Sequence, residues 1–150
     1  MNHFTPVQAA YLAGIVDGEG CIFVSRYDRK DGRQTEYGLI VSIAQSNLAF
    51  IDYLHDLIGA GFTREVKNKT AAHHMDRYDL RITGKQAGEF LQAILPHLII
   101  KKDQARLAID LVNAMHQGSS ATPQLLAQRE SIFRLIKAMK KSPGIFIEGD

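Results

Sequence analysis

Leu12-Ala13-Gly14-Ile15-Val16-Asp17-Gly18-Glu19-Gly20 is the stretch that decides how this chain is read. At helical spacing, Ala10, Gly14 and Gly18 fall four apart on one face, while Leu12, Ile15 and Val16 point the other way as a core-facing stripe. Two carboxylates, Asp17 and Glu19, then land at the expected helix C-terminus. That end carries partial negative charge, so each acid there costs roughly 0.3–1 kcal/mol unless a cation offsets it. A helix notched for close approach, and ending in acids that need a cation, points to a metal site at a helix–helix interface.

The chain around this stretch reads as a single domain, residues 1–150, with 45% hydrophobic and 23% charged residues, the proportions of an ordinary globular protein. No apolar run approaches the roughly 20 residues needed to span a bilayer, and no signal-peptide pattern opens the sequence. The single cysteine, Cys21, has no partner for an internal disulfide and reads as a buried strand thiol. The expectation is an intracellular protein with no membrane partner, in an organelle (chloroplast or mitochondrion) or a bacterial or phage cytoplasm, which the sequence does not distinguish. The net charge of +2 does not by itself demand a polyanion. Its distribution says more, with eight Lys or Arg against three acids from Lys101 to Lys141.

Outward from the opening stretch, Thr5-Pro6 predicts a helix start, with Thr5 as N-cap and Pro6 in the first helical position. The helix is expected to run to about Gly18, where two glycines permit a break. Cys21–Tyr27 and Tyr37–Gln45 read as strands joined through a polar turn containing Asp31-Gly32. Ser46 or Asn47 caps a second helix whose apolar face is Phe50, Ile51, Leu54, Leu57 and Ile58, ended by Gly59 and Gly61. Residues 62–69 and 78–83 read as a second hairpin, 86–95 as a helix stopped by Pro96, and 101–117 and 123–140 as two more helices. The order gives an α+β fold, αββαββα with additional C-terminal helices: a core over about 5–117 and a helical tail over about 122–141.

The nine-residue stretch resembles the signature of the LAGLIDADG homing endonucleases, with Ile15 for Leu, Val16 for Ile, Gly18 for Ala and Glu19 for Asp. The Pro6–Tyr11 lead-in and the element order agree, so the resemblance covers nearly the whole chain. It implies a saddle-shaped antiparallel sheet and a site-specific DNA endonuclease. That activity is a metal-dependent double-strand break with 3′ overhangs at a long pseudo-palindromic target. Members with one signature act as homodimers, so one motif here implies a two-fold dimer through the first helix, with Ala10, Gly14 and Gly18 at the interface. Small residues there also let helices pack below the usual 8–10 Å separation.

By the same resemblance Glu19 is the metal-binding catalytic acid and the Gly18 carbonyl a further ligand. The cofactor is Mg²⁺, with Mn²⁺ or Ca²⁺ able to occupy the same site. Lys101 (or, as a weaker choice, Lys102) would polarise the scissile phosphate, and Gln45 would position solvent. Asp17 reads as structural, bonding backbone groups where the helix turns into the strand. A second basic residue at the site rim has no assignable position.

A two-stranded ribbon fits the major groove, where its outward side chains meet base edges. The nominated DNA-reading positions are Ser25, Tyr27, Arg29, Arg33, Gln34, Glu36 and Ser42 on the first hairpin. On the second they are Arg64, Lys67, Lys69, His73, Asp76, Arg77 and Arg81. Taken singly each is an ordinary solvated strand residue; as a set about half should touch DNA. The expected partners are double-stranded DNA and a second copy. Two alternatives use the same scaffold, an RNA maturase acting on intron RNA and a cleavage-inactive DNA-binding regulator.

Overall fold

The computed structural model describes residues 1–31, 34–67, 76–115 and 121–141. Thr5 starts helix α1 (Pro6–Glu19) with a reciprocal cap: its hydroxyl accepts from the Gln8 amide at 3.2 Å, and the Gln8 side chain accepts from the Thr5 amide at 2.9 Å. The helix ends at Glu19, one residue past the expected end at about Gly18, with Gly20 as its C-cap. Gly20 then opens strand β1 (Gly20–Tyr27) with no intervening loop. A Cβ on Gly20 would lie 2.7 Å from the Val16 Cα and carbonyl oxygen, so close backbone approach is what requires glycine there.

Strand β2 (Glu36–Gln45) returns antiparallel to β1, pairing Gly20 with Ile43 and Tyr27 with Glu36. Of the two candidate caps, Asn47 is the one used. Its side chain accepts from the Phe50 amide at 3.1 Å to start α2 (Leu48–Ile58). Gly59 ends α2 in the left-handed region at φ 66°, and the Asn2 amide donates to the otherwise spare carbonyls of Asp56 and Leu57. Strands β3 (Phe62–Val66) and β4 (Arg77–Thr83) complete the sheet in the order β1-β2-β4-β3, with every neighbour antiparallel.

Helix α3 (Gly84–Ile94) is followed by the tight turn Leu95–His97, α4 (Lys102–Met115) and α5 (Pro123–Lys141). Among the described residues no helix is long and apolar enough to cross a membrane.

Period-two alternation assigns the sheet faces. Ile22, Val24, Leu39, Val41, Ile43, Leu80 and Ile82 are buried on the helix-covered side. Leu12 and Val16 of α1, Ile51, Leu54 and Ile58 of α2, and Phe90, Leu91 and Ile94 of α3 join the same core. Each full burial of such a side chain is worth about 1.5–3 kcal/mol. Ile15 packs on the edge of this core half-buried.

Helix α5 closes the exposed edge of the sheet at β1 through Ile132 and Ile136. The Tyr37 hydroxyl donates to Glu130 at 2.5 Å, and Arg26 pairs with the same carboxylate at 3.1 Å. An uncovered edge strand is a template for unwanted pairing, and the tail removes it on this side.

Candidate functional site

The C-terminus of α1 meets the N-terminus of α4, and Asp17 joins them. Its carboxylate oxygens accept the Ile99 amide at 2.8 Å and the Lys101 amide at 2.9 Å. Lys101 is the residue whose carbonyl accepts the first amide of α4, from Ala105 at 2.9 Å. In return the Lys101 ammonium donates to the Asp17 carbonyl oxygen at 2.5 Å. The expected partners of Asp17 at the helix-to-strand junction are therefore corrected: its acceptors serve the turn before α4. An acid misplaced at the end of one helix is well placed at the start of another, where spare amides and positive dipole converge. The cation that the sequence demanded at this helix end is, for Asp17, supplied within the chain.

Lys101 is half-buried. Burial holds its ammonium below the ordinary lysine value, against the upward pull of Asp17, Cys21 and Glu19. Glu19 is exposed, and among the described residues it has no hydrogen-bond or ion-pair partner. Gly14 and Gly18 are exposed as well, with nothing within 4 Å of where a Cβ would sit. With Ala10, Val7 (79% exposed) and Tyr11 (47% exposed) they form a bare face of small and apolar residues along α1. Such a face on a helix that is already packed on its other side is unusual for a solvated surface.

Gln45 lies two positions beyond Ile43, the partner of Gly20, so strand register brings it to the same sheet end as Glu19. Among the described residues no group of three or more His, Cys, Asp or Glu is arranged to hold a metal ion. Among the described residues Glu19 is the carboxylate at this helix end that has neither a hydrogen bond nor an ion pair.

The sheet face opposite the core carries Cys21, Phe23, Ser25 and Tyr27 on β1, Glu36 and Ser42 on β2, Arg64 on β3, and Arg77, Asp79 and Arg81 on β4. Seven of the nominated DNA-reading positions (Ser25, Tyr27, Glu36, Ser42, Arg64, Arg77, Arg81) share this face. Arg29 pairs with Glu36 at 3.1 Å, and the Gln34 amide donates to the Ala121 carbonyl at 3.0 Å, which ties the first hairpin to the tail. Lys67 and Asp76 are exposed beyond the strand ends. Arg33, Lys69 and His73 lie outside the described residues.

Two residues on this face, Asp79 and Phe23, and Lys140 of α5 against it, escaped the sequence reading. Asp79 is only 8% exposed and sits between Arg64 (3.0 Å) and Arg81 (3.6 Å). The alternation on β4 held the signal: with Leu80 and Ile82 inward, Asp79 and Arg81 must share the outer side. Phe23 carries the Arg81 guanidinium 5.8 Å and the Lys140 ammonium 5.2 Å from its ring centre. Lys140 also reaches the Cys21 sulfur at 2.9 Å, so the thiol is half-buried beside the tail, where a buried strand thiol was expected. A contact spanning 119 residues of chain leaves no local trace in sequence.

The architecture and strand order are those of the LAGLIDADG homing endonuclease fold, an α+β domain with an open four-stranded antiparallel sheet. The homing endonuclease I-CvuI, solved with its target in the presence of calcium, superposes with a TM-score of 0.75 over 94% of this chain and 87% of its own, at 20% identity. The archaeal intron-encoded homing endonuclease I-Vdi141I, solved with DNA, gives a TM-score of 0.75 over 96% of this chain and 89% of its own, at 19% identity. The LAGLIDADG homing endonuclease I-LtrWI, bound to target DNA, gives 0.70 over 89% of this chain but only 45% of its own, at 20% identity. No family model and no curated protein sequence matches the chain.

Proposed function

We propose that this chain is a site-specific DNA endonuclease of the LAGLIDADG homing type, working as a homodimer joined through α1. The observation that carries the reading is Glu19, which has no hydrogen-bond or ion-pair partner among the described residues, at the end of a bare, glycine-notched helix face, beside Lys101 and at the foot of an arginine-bearing sheet. The I-LtrWI chain, about half of which this chain matches, supports the dimer: two copies would supply the length that I-LtrWI carries in one. Ala10, Gly14 and Gly18 would meet their counterparts across a two-fold axis, bringing both Glu19 carboxylates together.

The donor set suits a hard divalent cation. One exposed carboxylate per copy, with the Gly18 carbonyl beside it, fits Mg²⁺, which keeps several waters and takes few protein ligands; Mn²⁺ or Ca²⁺ could occupy the same position. When bound, the ion lowers the pKa of a water and neutralises charge on the phosphate and leaving oxygen. Lys101, held by Asp17, presents a cation toward the scissile phosphate, and Gln45 orients solvent at the same sheet end. The open sheet face reads the major groove, with its arginines meeting phosphates and guanines. The product would be a double-strand break with 3′ overhangs at a pseudo-palindromic target.

The test is incubation with a library of duplex sites, with and without Mg²⁺. Double-strand cuts that need Mg²⁺, lost in Glu19→Gln while duplex affinity stays close to wild type, support the reading. Binding that persists with no Mg²⁺-dependent cut would leave a DNA-binding regulator, and binding confined to structured RNA would leave a maturase.

A further inference from the structure

The Arg64–Asp79–Arg81 cluster is out of place on a face that would meet polyanionic DNA. Asp79 is the one buried charged residue among the described residues, and it lies on the outer side of β4. A carboxylate there repels phosphate and is costly to desolvate, so it needs partners. Both partners are arginines. Arg64 stands directly across from it on β3 and donates through Nε and Nη2 to the same Asp79 oxygen, at 3.3 and 3.0 Å. Arg81, two residues along β4 on the same side, places Nη2 3.6 Å from that oxygen and stacks its guanidinium over Phe23. Arg81 Nε is buried and unpaired. The Arg81 Nε is therefore closed to an outside acceptor, and Arg64 commits Nε and Nη2 to Asp79; both guanidiniums are anchored from one side and have Nη1 left for an outside acceptor.

We propose that Asp79 is a specificity-determining residue: it gives up part of the sheet's attraction for DNA in order to fix Arg64 and Arg81 in one arrangement, so that they discriminate among base edges. Flexible arginines gain affinity for any phosphate they reach. Arginines held in a planar, preorganised fork lose less entropy on making bidentate bonds to guanine, and they mismatch other bases more severely. The inference rests on the open sheet face being the DNA-reading surface.

Asp79→Asn keeps the shape and removes the charge. The chain gains about one effective cation, so affinity for random-sequence duplex should rise several-fold at low salt, and the log–log salt slope should steepen by about 0.9. The sequence motif enriched from a randomised duplex library should lose information at the base pairs read by the two arginines. Asp79→Glu should recover part of that information. An unchanged thermal melt for Asp79→Asn separates this from unfolding. If both variants enrich the wild-type motif with wild-type sharpness and salt slope, Asp79 is only a charge holding the sheet together, and the inference is overturned. If the wild-type protein itself selects no duplex motif, the sheet-face reading fails first.

Discussion

Asp17 and Lys101 bind each other twice, the carboxylate accepting from the Lys101 amide at 2.9 Å while the Lys101 ammonium donates to the Asp17 carbonyl oxygen at 2.5 Å. Eighty-four residues of chain separate the two positions. This closed loop fixes where α1 ends relative to where α4 begins, and with it the position of Glu19 relative to Lys101.

Asp17→Ala removes two charge-assisted acceptors and leaves the Ile99 and Lys101 amides without partners. The expected destabilisation is about 2–4 kcal/mol, read from the midpoint of urea unfolding at unchanged slope. Asp17→Asn keeps one good acceptor and should lose less. A melt unaffected by either change would mean that the turn before α4 is held by other contacts.

The pH dependence of Lys101 has a defined sign. Burial lowers the folded-state value beneath the ordinary 10.5, so the fold pays for the charged form at neutral pH. The unfolded chain binds more protons between the two values, and stability from this group therefore rises with pH through the window just below 10.5. Comparing wild type with Lys101→Met by urea unfolding at several alkaline pH values should show this rise in wild type alone. A pH profile shared by both would remove Lys101 as its source.

Glu130 predicts a trend of the same sign for the tail, but in the acid range. The Tyr37 hydroxyl and then Arg134 hold its carboxyl below the ordinary 4.5, while burial pushes the Tyr37 hydroxyl up. Its contribution is present above the ordinary glutamate range and is lost as pH falls through the lower folded-state value. Protection of the α5 amides, measured against the intrinsic exchange rate at each pH, should fall in acid before that of β2 and β4 does. In Glu130→Gln the tail should already exchange faster at neutral pH, with a flatter acid dependence. Simultaneous loss of all protection would show that α5 is not a separate unit.

Two glycines of the opening stretch should behave in opposite ways. Gly14 has open space beyond its Cα, so Gly14→Leu should leave the single chain folded, even gaining about 0.5–1 kcal/mol of helix propensity. The same change should abolish self-association, seen by light scattering as a fall from twice the chain mass to 16.7 kDa. Gly20→Ala instead drives a methyl into the Val16 backbone and should cost about 1–3 kcal/mol. A Gly14→Leu protein that remains dimeric would move the interface off α1.

Much of the scaffold was readable from local chemistry. Thr5-Pro6, Asn47, Gly59 and Pro96 each act through neighbours within a few residues, so their caps and stops were visible. Alternation of Leu39, Val41 and Ile43 with Ile40, Ser42 and Ala44 along β2 likewise separated core from outer side chains. What stayed hidden was set by pairing distant in sequence. Asp17 answers to Ile99 and Lys101, Asp79 to Arg64 across a strand, and Cys21 to Lys140 from the far end of the chain. The acidic helix end was noticed, but the cure was misassigned, because a second helix start arriving from residues 98–101 has no signature near Asp17.

Because Glu19 is the last residue of α1 and Gly20 the first of β1, no spacer separates the candidate cutting group from the ribbon. The reach from Glu19 to Ser25 is then a ruler counted in strand residues, roughly 20 Å at about 3.3 Å each. Adding or deleting a single residue between them would shift that measure by one step. It would also turn every outward side chain of β1 inward, trading the reading surface for the core. Evolution can retune individual letters along this ruler, but its length is fixed by the join.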